Sequence, residues 1–466
     1  MVGTSSLGYY YGDAMAIAVV VGGGPAGLLS ARILKRDFDR VLLVDNAEKL
    51  GGLCRSFQNE YGDWFDFGTH FLAETGVPDL DEVLLSVIDL DDWHSIRGYR
   101  ASSYMSGKLN LTCNRLNANT LPADIFARAM IELLMLVKPV ADPSNLREEL
   151  EGIFGELITE WLLEPVIEKV YGVESSMLAP GSHLLFNLDR ITGFDVDVIK
   201  QLKMSPVYSA KLNYYDSSEY PPENRSFYPK EGGIGKWVSA FESHLIDSGV
   251  EIHKKTKVAR LEESRLLLQF DRETEQGSDE TWVDFDRLIW TIPPAFGFHA
   301  AGLPFKRLSN IRPTFMIHLV FDQPYLVDSQ WTYVFEPSMH AFRVTFYSNI
   351  QGEINPGRFP CTVEILSELA PDPEKTKEIV HRESIRMGFV SPNSQVLYWG
   401  ADSIPMGFPV PTLEYRDLKS KNKDSLESFS SKILCLGRAA GNAFFTVDVL
   451  KEVWSTLLRV EEGAVV

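Results

Sequence analysis

Gly22, Gly24 and Gly27 stand at the three glycine positions of a G-x-G-x-x-G turn, within Val21-Gly22-Gly23-Gly24-Pro25-Ala26-Gly27-Leu28. The chemistry such a turn performs is the holding of a pyrophosphate. The first glycine permits the tight turn, the second lets backbone approach the phosphates, and the third lets helix and strand pack closely. Amides at the start of the following helix then face the phosphates with the positive end of the helix dipole. About twenty residues on, where a dinucleotide site places an acid for a ribose hydroxyl, Arg40-Val41-Leu42-Leu43-Val44 ends in Asp45. A glycine triplet alone is a weak signal. Strand, turn, helix, second strand and terminal acid in this order predict dinucleotide binding.

These residues need a βαβ unit to position them, and residues 15–70 read as one, followed by Gly51-Gly52-Leu53-Cys54-Arg55-Ser56. At 466 residues the chain is too long for one ordinary core, so two or three domains are expected. Residues 78–185 carry helical periodicity, clearest over Asp124 to Val137 and Gly155 to Glu164. From Ser226 the pattern returns to α/β, with a glycine turn Gly232-Gly233-Ile234-Gly235 and a helix to Leu245. Arg265 to Phe270 and Thr281 to Phe285 predict a surface hairpin across the charged loop Asp271 to Glu280. Phe315 to Phe321, Ala341 to Ser348 and Cys361 to Leu366 alternate as strands and imply a separate antiparallel sheet. Lys419 to Lys432 reads as a polar connector, Lys432 to Arg438 as a strand reaching a glycine, and Val447 to Val460 as a closing helix.

The expected fold class is therefore α/β, a Rossmann-type domain interrupted by a helical domain and by an antiparallel-sheet substrate domain. The boundaries read as 15–77, 226–300 and 432–466 for the three parts of the dinucleotide domain, 78–185 for the helical domain, and 186–225 with 301–431 for the substrate domain. The first and last parts are expected to share one sheet, with the chemistry at a domain junction.

Composition narrows the function classes. A net charge of -19 argues against a general nucleic-acid binder, which needs a basic face. Cys54, Cys113, Cys361 and Cys435 form no C-x-x-C pair, so no zinc site or disulfide framework is expected and a reducing, cytoplasmic setting fits. No apolar run reaches membrane-spanning length, and no membrane partner is expected. Residues 1–14 are polar and tyrosine-rich and read as lying outside the fold, with Met15 a natural start.

The glycine turn, Gly51-Gly52, Phe65-Asp66-Phe67-Gly68-Thr69-His70 and Leu436-Gly437-Arg438 together resemble the FAD flavoproteins that include amine oxidases, protoporphyrinogen oxidases, phytoene desaturases and UDP-galactopyranose mutases. The layout is most similar to the eukaryotic-like mutases, through Tyr228 to Trp237, Phe342 to Asn349, Gly407 to Glu414, and Gly437-Arg438 followed by Asp448. The resemblance implies an FAD cofactor, a reductant for it, and a redox-neutral ring isomerisation of a nucleotide-activated sugar, with covalent catalysis by the cofactor. It implies cofactor contacts from Gly22, Gly24, Pro25, Ala26, Gly27, Asp45, Gly52, Gly68, Thr69, Val258, Gly437, Arg438 and Asp448. His70 falls on a histidine beside the flavin, the alternative being a structural role. Arg343 falls on an arginine that binds the substrate diphosphate, the alternative being a salt bridge. Arg55 matches either a pyrophosphate contact or a strand-edge cation.

Two departures stand against the mutase pattern. Asn442 and Phe444 occupy substrate positions where the mutases carry tyrosines, and phenylalanine has no hydroxyl for a phosphate. The mutases' second diphosphate arginine is not evident around Glu174 to Pro180, and Arg190 is out of register. An FAD-dependent oxidoreductase acting on an amine or other small molecule, and a non-catalytic flavoprotein, are the alternatives.

Overall fold

In the computed structural model, residues 15–138, 141–214, 224–271, 279–306 and 311–461 are described. The leader of residues 1–14 and most of the loop expected between Asp271 and Glu280 lie outside the described residues. Contacts divide the chain into two compact units. One takes residues up to Gly52, Val238–Phe305, and Asn422 onward; the other takes Leu53–Trp237 and Lys306–Lys421.

The first unit is built on a parallel sheet of five strands, in the order Glu251–His253, Arg40–Val44, Ile17–Val21, Arg287–Trp290, Ile433–Cys435. Parallel strands covered on both faces read as unbroken apolar runs, and Ala18, Val19, Val20, Leu43, Leu288 and Ile289 are wholly buried. The first and last strands are separated by one neighbour, so the two ends of the chain share a sheet as expected. The helices Pro25–Leu34 and Thr446–Glu461 pack against each other beside it. The expected hairpin of Arg265–Phe270 is present, its second strand running Asp279–Asp284, and Thr256–Leu261 adds a third antiparallel strand.

The second unit centres on a seven-stranded sheet, in the order Val396–Pro409, Ile311–Phe321, Phe359–Leu366, Arg343–Phe346, Trp331–Val334, Ala101–Met105, Lys108–Asn110. All neighbours are antiparallel except Trp331–Val334 with Ala101–Met105. Ala101–Met105 comes from the stretch read as helical. All five of its residues are buried, which a strand inside a sheet achieves and a one-sided helix does not. Trp93–Ile96, Lys108–Asn110 and Leu116–Asn117 of the same stretch are strands too, and the helical periodicity holds from Ala123 onward. Helices Ala123–Met135, Leu146–Phe154 and Glu164–Tyr171 close a core of Leu133, Leu150, Phe154, Leu162 and Val166.

Two further readings differ from the structure. The strand expected over Ala341 to Ser348 spans only Arg343–Phe346, and Tyr347–Gln351 turns into a short helix. The polar connector expected at Lys419 to Lys432 belongs largely to the helix Leu413–Phe429. Lys, Glu and Leu are good helix formers, and this helix buries only Asn422 and Leu426, so its sequence shows almost no apolar stripe.

Candidate functional site

In the first unit the glycine turn joins the strand Ile17–Val21 to the helix Pro25–Leu34, with Gly24 as N-cap and Pro25 in the first turn. A Cβ on Gly27 would stand 1.8 Å from the Gly22 carbonyl oxygen, so no larger residue lets helix and strand meet this closely. A Cβ on Gly24 would meet nothing within 4 Å. The turn is therefore packed tightly behind and open in front, the shape that admits a pyrophosphate. The helix carries no acid in its first turn and no side chain caps it, which leaves its positive end to an anion.

Asp45 ends the strand Arg40–Val44 and is bound into the same turn. Its Oδ2 accepts from the Gly23 amide at 2.6 Å and its Oδ1 from the Ala47 amide at 2.7 Å. The second glycine pair is alongside. Gly51 donates its amide to the Gly23 carbonyl at 2.8 Å, and a Cβ on Gly52 would lie 3.5 Å from Gly24 Cα. The amide of Thr256 donates to the Asp45 carbonyl at 2.9 Å, so the strand bearing half-buried Val258 starts beside the acid.

The far end of the chain arrives at the same turn. A Cβ on Gly437 would stand 3.0 Å from the Ala26 Cβ. Arg438 follows, its guanidinium 5.1 Å from the centre of the Phe444 ring. Exposed Asn442 and its neighbour Ala443 donate their amides to the Glu452 carboxylate at 3.0 and 3.1 Å. Asp448 is exposed in the first turn of the last helix. Glu452 carries no signal of its own in the sequence, being one of several polar residues on an amphipathic helix that buries Leu450, Val453 and Leu457.

In the second unit, Gly68, Thr69, His70 and Arg343 come together. Gly68 has φ +116°, and a Cβ there would stand 3.1 Å from His70 Nε2 and 3.5 Å from Arg343 Nη2. Thr69 and Thr345 share a short hydroxyl–hydroxyl bond, and His70 Nε2 lies 3.2 Å from the Phe67 carbonyl. Arg55 places its guanidinium 4.8 Å from the centre of the Phe67 ring, and its carbonyl accepts from the Phe67 amide at 3.4 Å.

Arg343 is engaged by Glu364 of the strand Phe359–Leu366. Glu364 stands directly opposite it in the sheet register. The fork is bidentate, Nε to Oε1 at 2.6 Å and Nη2 to Oε2 at 2.7 Å, with side chains only 12% and 3% exposed. Burial works against the Arg343 charge, but the Glu364 carboxylate outweighs it and raises the guanidinium pKa above its ordinary value. A single acid within the apolar run Cys361 to Leu366 was the available signal for a buried partner.

Beneath the Gly68–His70 loop lies buried Asp66. Its carboxylate accepts from Ser56 Oγ at 2.5 Å, Tyr228 Oη at 2.7 Å and the Ile234 amide at 3.2 Å. Burial pushes this carboxyl up to about 6 while those hydrogen bonds resist the shift. Ser56 Oγ also accepts from the Gly235 amide at 2.7 Å, so the loop and the Gly232–Gly235 turn are held by one polar knot.

The family model of NAD(P)-binding Rossmann-like domains matches residues 20–84. Over 71 residues the chain is 37% identical to all-trans-retinol 13,14-reductase of Rattus norvegicus, covering 15% of this chain and 12% of the reductase. Over 55 residues it is 50% identical to an uncharacterised protein of the nifH2 3′ region of Methanothermococcus thermolithotrophicus, covering 12% of this chain and 52% of that one. The matches thus span about half or less of these relatives' own length. Among solved structures, reduced UDP-galactopyranose mutase superposes with a TM-score of 0.75 at 19% identity, covering 97% of this chain and 94% of the mutase. A candidate protoporphyrinogen oxidase from Exiguobacterium sp. 255-15 gives 0.68 at 15% identity, with 97% and 100% covered. Putrescine oxidase with putrescine bound gives 0.58 at 13% identity, with 96% and 99% covered. At these identities the likeness is one of fold. The fold is the one these structures share, and residues 20–84 match a Rossmann-like dinucleotide-binding domain.

Proposed function

We propose that this protein is an FAD-dependent enzyme and that its reaction is the redox-neutral ring isomerisation of a nucleotide-activated sugar. Support for the cofactor comes from the turn at Gly22–Gly27, open in front of Gly24 and joined by Asp45, Gly52 and Gly437. Bound FAD would supply the electron-rich centre for ring opening in its reduced form, or a hydride acceptor in its oxidised form. The chain's own residues bind and orient. The amides at the start of the Pro25–Leu34 helix hold the pyrophosphate, and Asp45 holds a ribose hydroxyl. The family resemblance gives His70 the tuning of the cofactor by hydrogen bonding and gives Arg343 the substrate, although the Arg343 fork also holds Glu364.

The observation that carries the isomerase reading is the clustering of His70 and Arg343 around Gly68, on a fold that follows the mutase over nearly its whole length. The test is product analysis with dithionite-reduced, FAD-loaded protein and a panel of nucleotide sugars. Ring-isomerised product is expected, and its absence across the panel overturns the isomerase reading.

A second reading, an FAD-dependent oxidoreductase of a small molecule, is favoured by the Arg343–Glu364 pair. An arginine whose fork is filled by a buried carboxylate is poorly placed to take a diphosphate, and Phe444 offers that diphosphate no hydroxyl. Reduction of the bound flavin by an amine or other small molecule without added reductant would establish this reading in place of the first.

A further inference from the structure

A continuous run of hydrogen-bonding groups crosses the second unit beneath the His70 loop. The Asp66 amide donates to Tyr347 Oη at 2.9 Å. Tyr347 Oη lies 2.8 Å from Thr362 Oγ1, and Thr362 Oγ1 lies 2.9 Å from His318 Nδ1. His318 Nε2 stands 3.3 Å from the Asp402 carboxylate, close but not aligned as a full hydrogen bond, and Asp402 is 39% exposed. Tyr347, Thr362 and His318 are buried. Asp66 is the residue from which the loop to His70 departs, and Thr345, which bonds Thr69, stands opposite Thr362 in the sheet.

Donor and acceptor arithmetic restricts this run to few arrangements. With His318 neutral and its proton on Nε2 toward Asp402, Nδ1 accepts from Thr362, Thr362 accepts from Tyr347, and Tyr347 accepts from the Asp66 amide. Every hydroxyl then donates in one direction. If His318 takes a proton from solvent, both ring nitrogens donate. Thr362 then accepts from Nδ1–H and can turn its own proton to Tyr347, which in turn can direct its proton to the Asp66 carbonyl. That carbonyl is already within 3.3 Å of Tyr347 Oη, so the second arrangement is built in.

We infer that His318 is a positioning residue: it acts through Thr362 and Tyr347 on the backbone of Asp66, and its protonation reverses the hydrogen bonds that hold the His70 loop. Its bearing on catalysis rests on the role proposed above for His70. The groups facing the His318 ring set its balance. Phe57 and Phe65 cover it at ring-centre distances of 4.9 and 5.1 Å, Asp402 faces Nε2, and Glu364 on the neighbouring strand adds a more distant negative charge. Burial outweighs both carboxylates and lowers the His318 pKa, so the forward arrangement is the one present at neutral pH.

The test is histidine-selective 15N and 13C NMR on the full chain across pH, with and without added FAD. Below neutrality His318 is expected to remain the neutral Nε2–H tautomer after ordinary histidines have charged. The His70 ring signals are expected to show an inflection where His318 finally titrates. His318→Asn, whose amide oxygen accepts from Thr362 without titrating, and Thr362→Val, which breaks the run, should each remove that inflection; Thr362→Ser should keep it. Asp66 titrates near the same loop in all of these variants, so an inflection pattern that is identical in the wild type, His318→Asn and Thr362→Val belongs to Asp66 alone and overturns the inference. An Nδ1–H tautomer at His318 overturns it as well. The Thr362 variants decide the matter if His318→Asn does not fold. Failure of FAD to bind would sink the cofactor reading alone, since the histidine signals are read without it.

Discussion

Glu364 shows how one side chain changes the meaning of another. Arg343 alone is a phosphate ligand in waiting; Arg343 with Glu364 is a buried ion pair. Breaking such a pair on one side strands the other charge in a poor solvent, at a cost of about 3–5 kcal/mol. Glu364→Gln is therefore expected to lower the unfolding free energy by about 3 kcal/mol in a denaturant titration. The double variant Arg343→Met with Glu364→Leu should recover much of that loss, because no unpaired charge remains. Asp66 supplies a second test at this scale. Burial raises its carboxyl to about 6 from 3.8, so the folded chain holds the proton more tightly than the unfolded chain does. Its contribution is fully present below 3.8, is lost as pH rises to about 6, and is level above that. Denaturant midpoints of the wild type should carry that fall, on the order of 2–3 kcal/mol, and Asp66→Asn should flatten it.

At the scale of elements, the glycine turn depends on a contact with no slack. Gly27→Ala puts a methyl group 1.8 Å from the Gly22 oxygen, so the helix Pro25–Leu34 must move off the strand. An unfolding cost of at least about 2 kcal/mol is expected from overpacking, together with loss of FAD binding, read by flavin fluorescence during titration. The helix Glu164–Tyr171 makes a different kind of joint. Lys169 Nζ donates to the carbonyls of Val334, Glu336 and Ala341 at 2.7, 2.7 and 2.8 Å. These lie just before Arg343, and the three N–H groups of one ammonium satisfy the loop that sets that arginine's strand.

For the whole molecule, a cofactor bound only by the folded chain must stabilise it by mass action. At a free FAD concentration 100 times its dissociation constant the gain is about 2.7 kcal/mol, so the melting temperature should climb steadily with added FAD. A melting temperature indifferent to FAD would remove the cofactor from the proposal.

Periodicity and local chemistry determined much of this protein in advance. The apolar run before Gly22, the alternation of the later strands and the spacing of Gly22, Gly24, Gly27 and Asp45 are local properties, and local sterics carry them. The ends of the chain could be paired because Gly437-Arg438 closes a strand of the same buried character as the first. Ala101–Met105 and the helix Leu413–Phe429 were not legible, for opposite reasons. The first is buried on both faces and so has no period, while the second buries only Asn422 and Leu426 and so has almost no stripe. Partnership was decided only by the tertiary structure. Arg343 and Glu364 are brought opposite one another by strand register, and His318, Thr362, Tyr347 and Asp66 come from four separate segments. A hydrogen bond between residues far apart in sequence leaves no mark on either one's neighbours; only the folded backbone brings its donor and acceptor within reach.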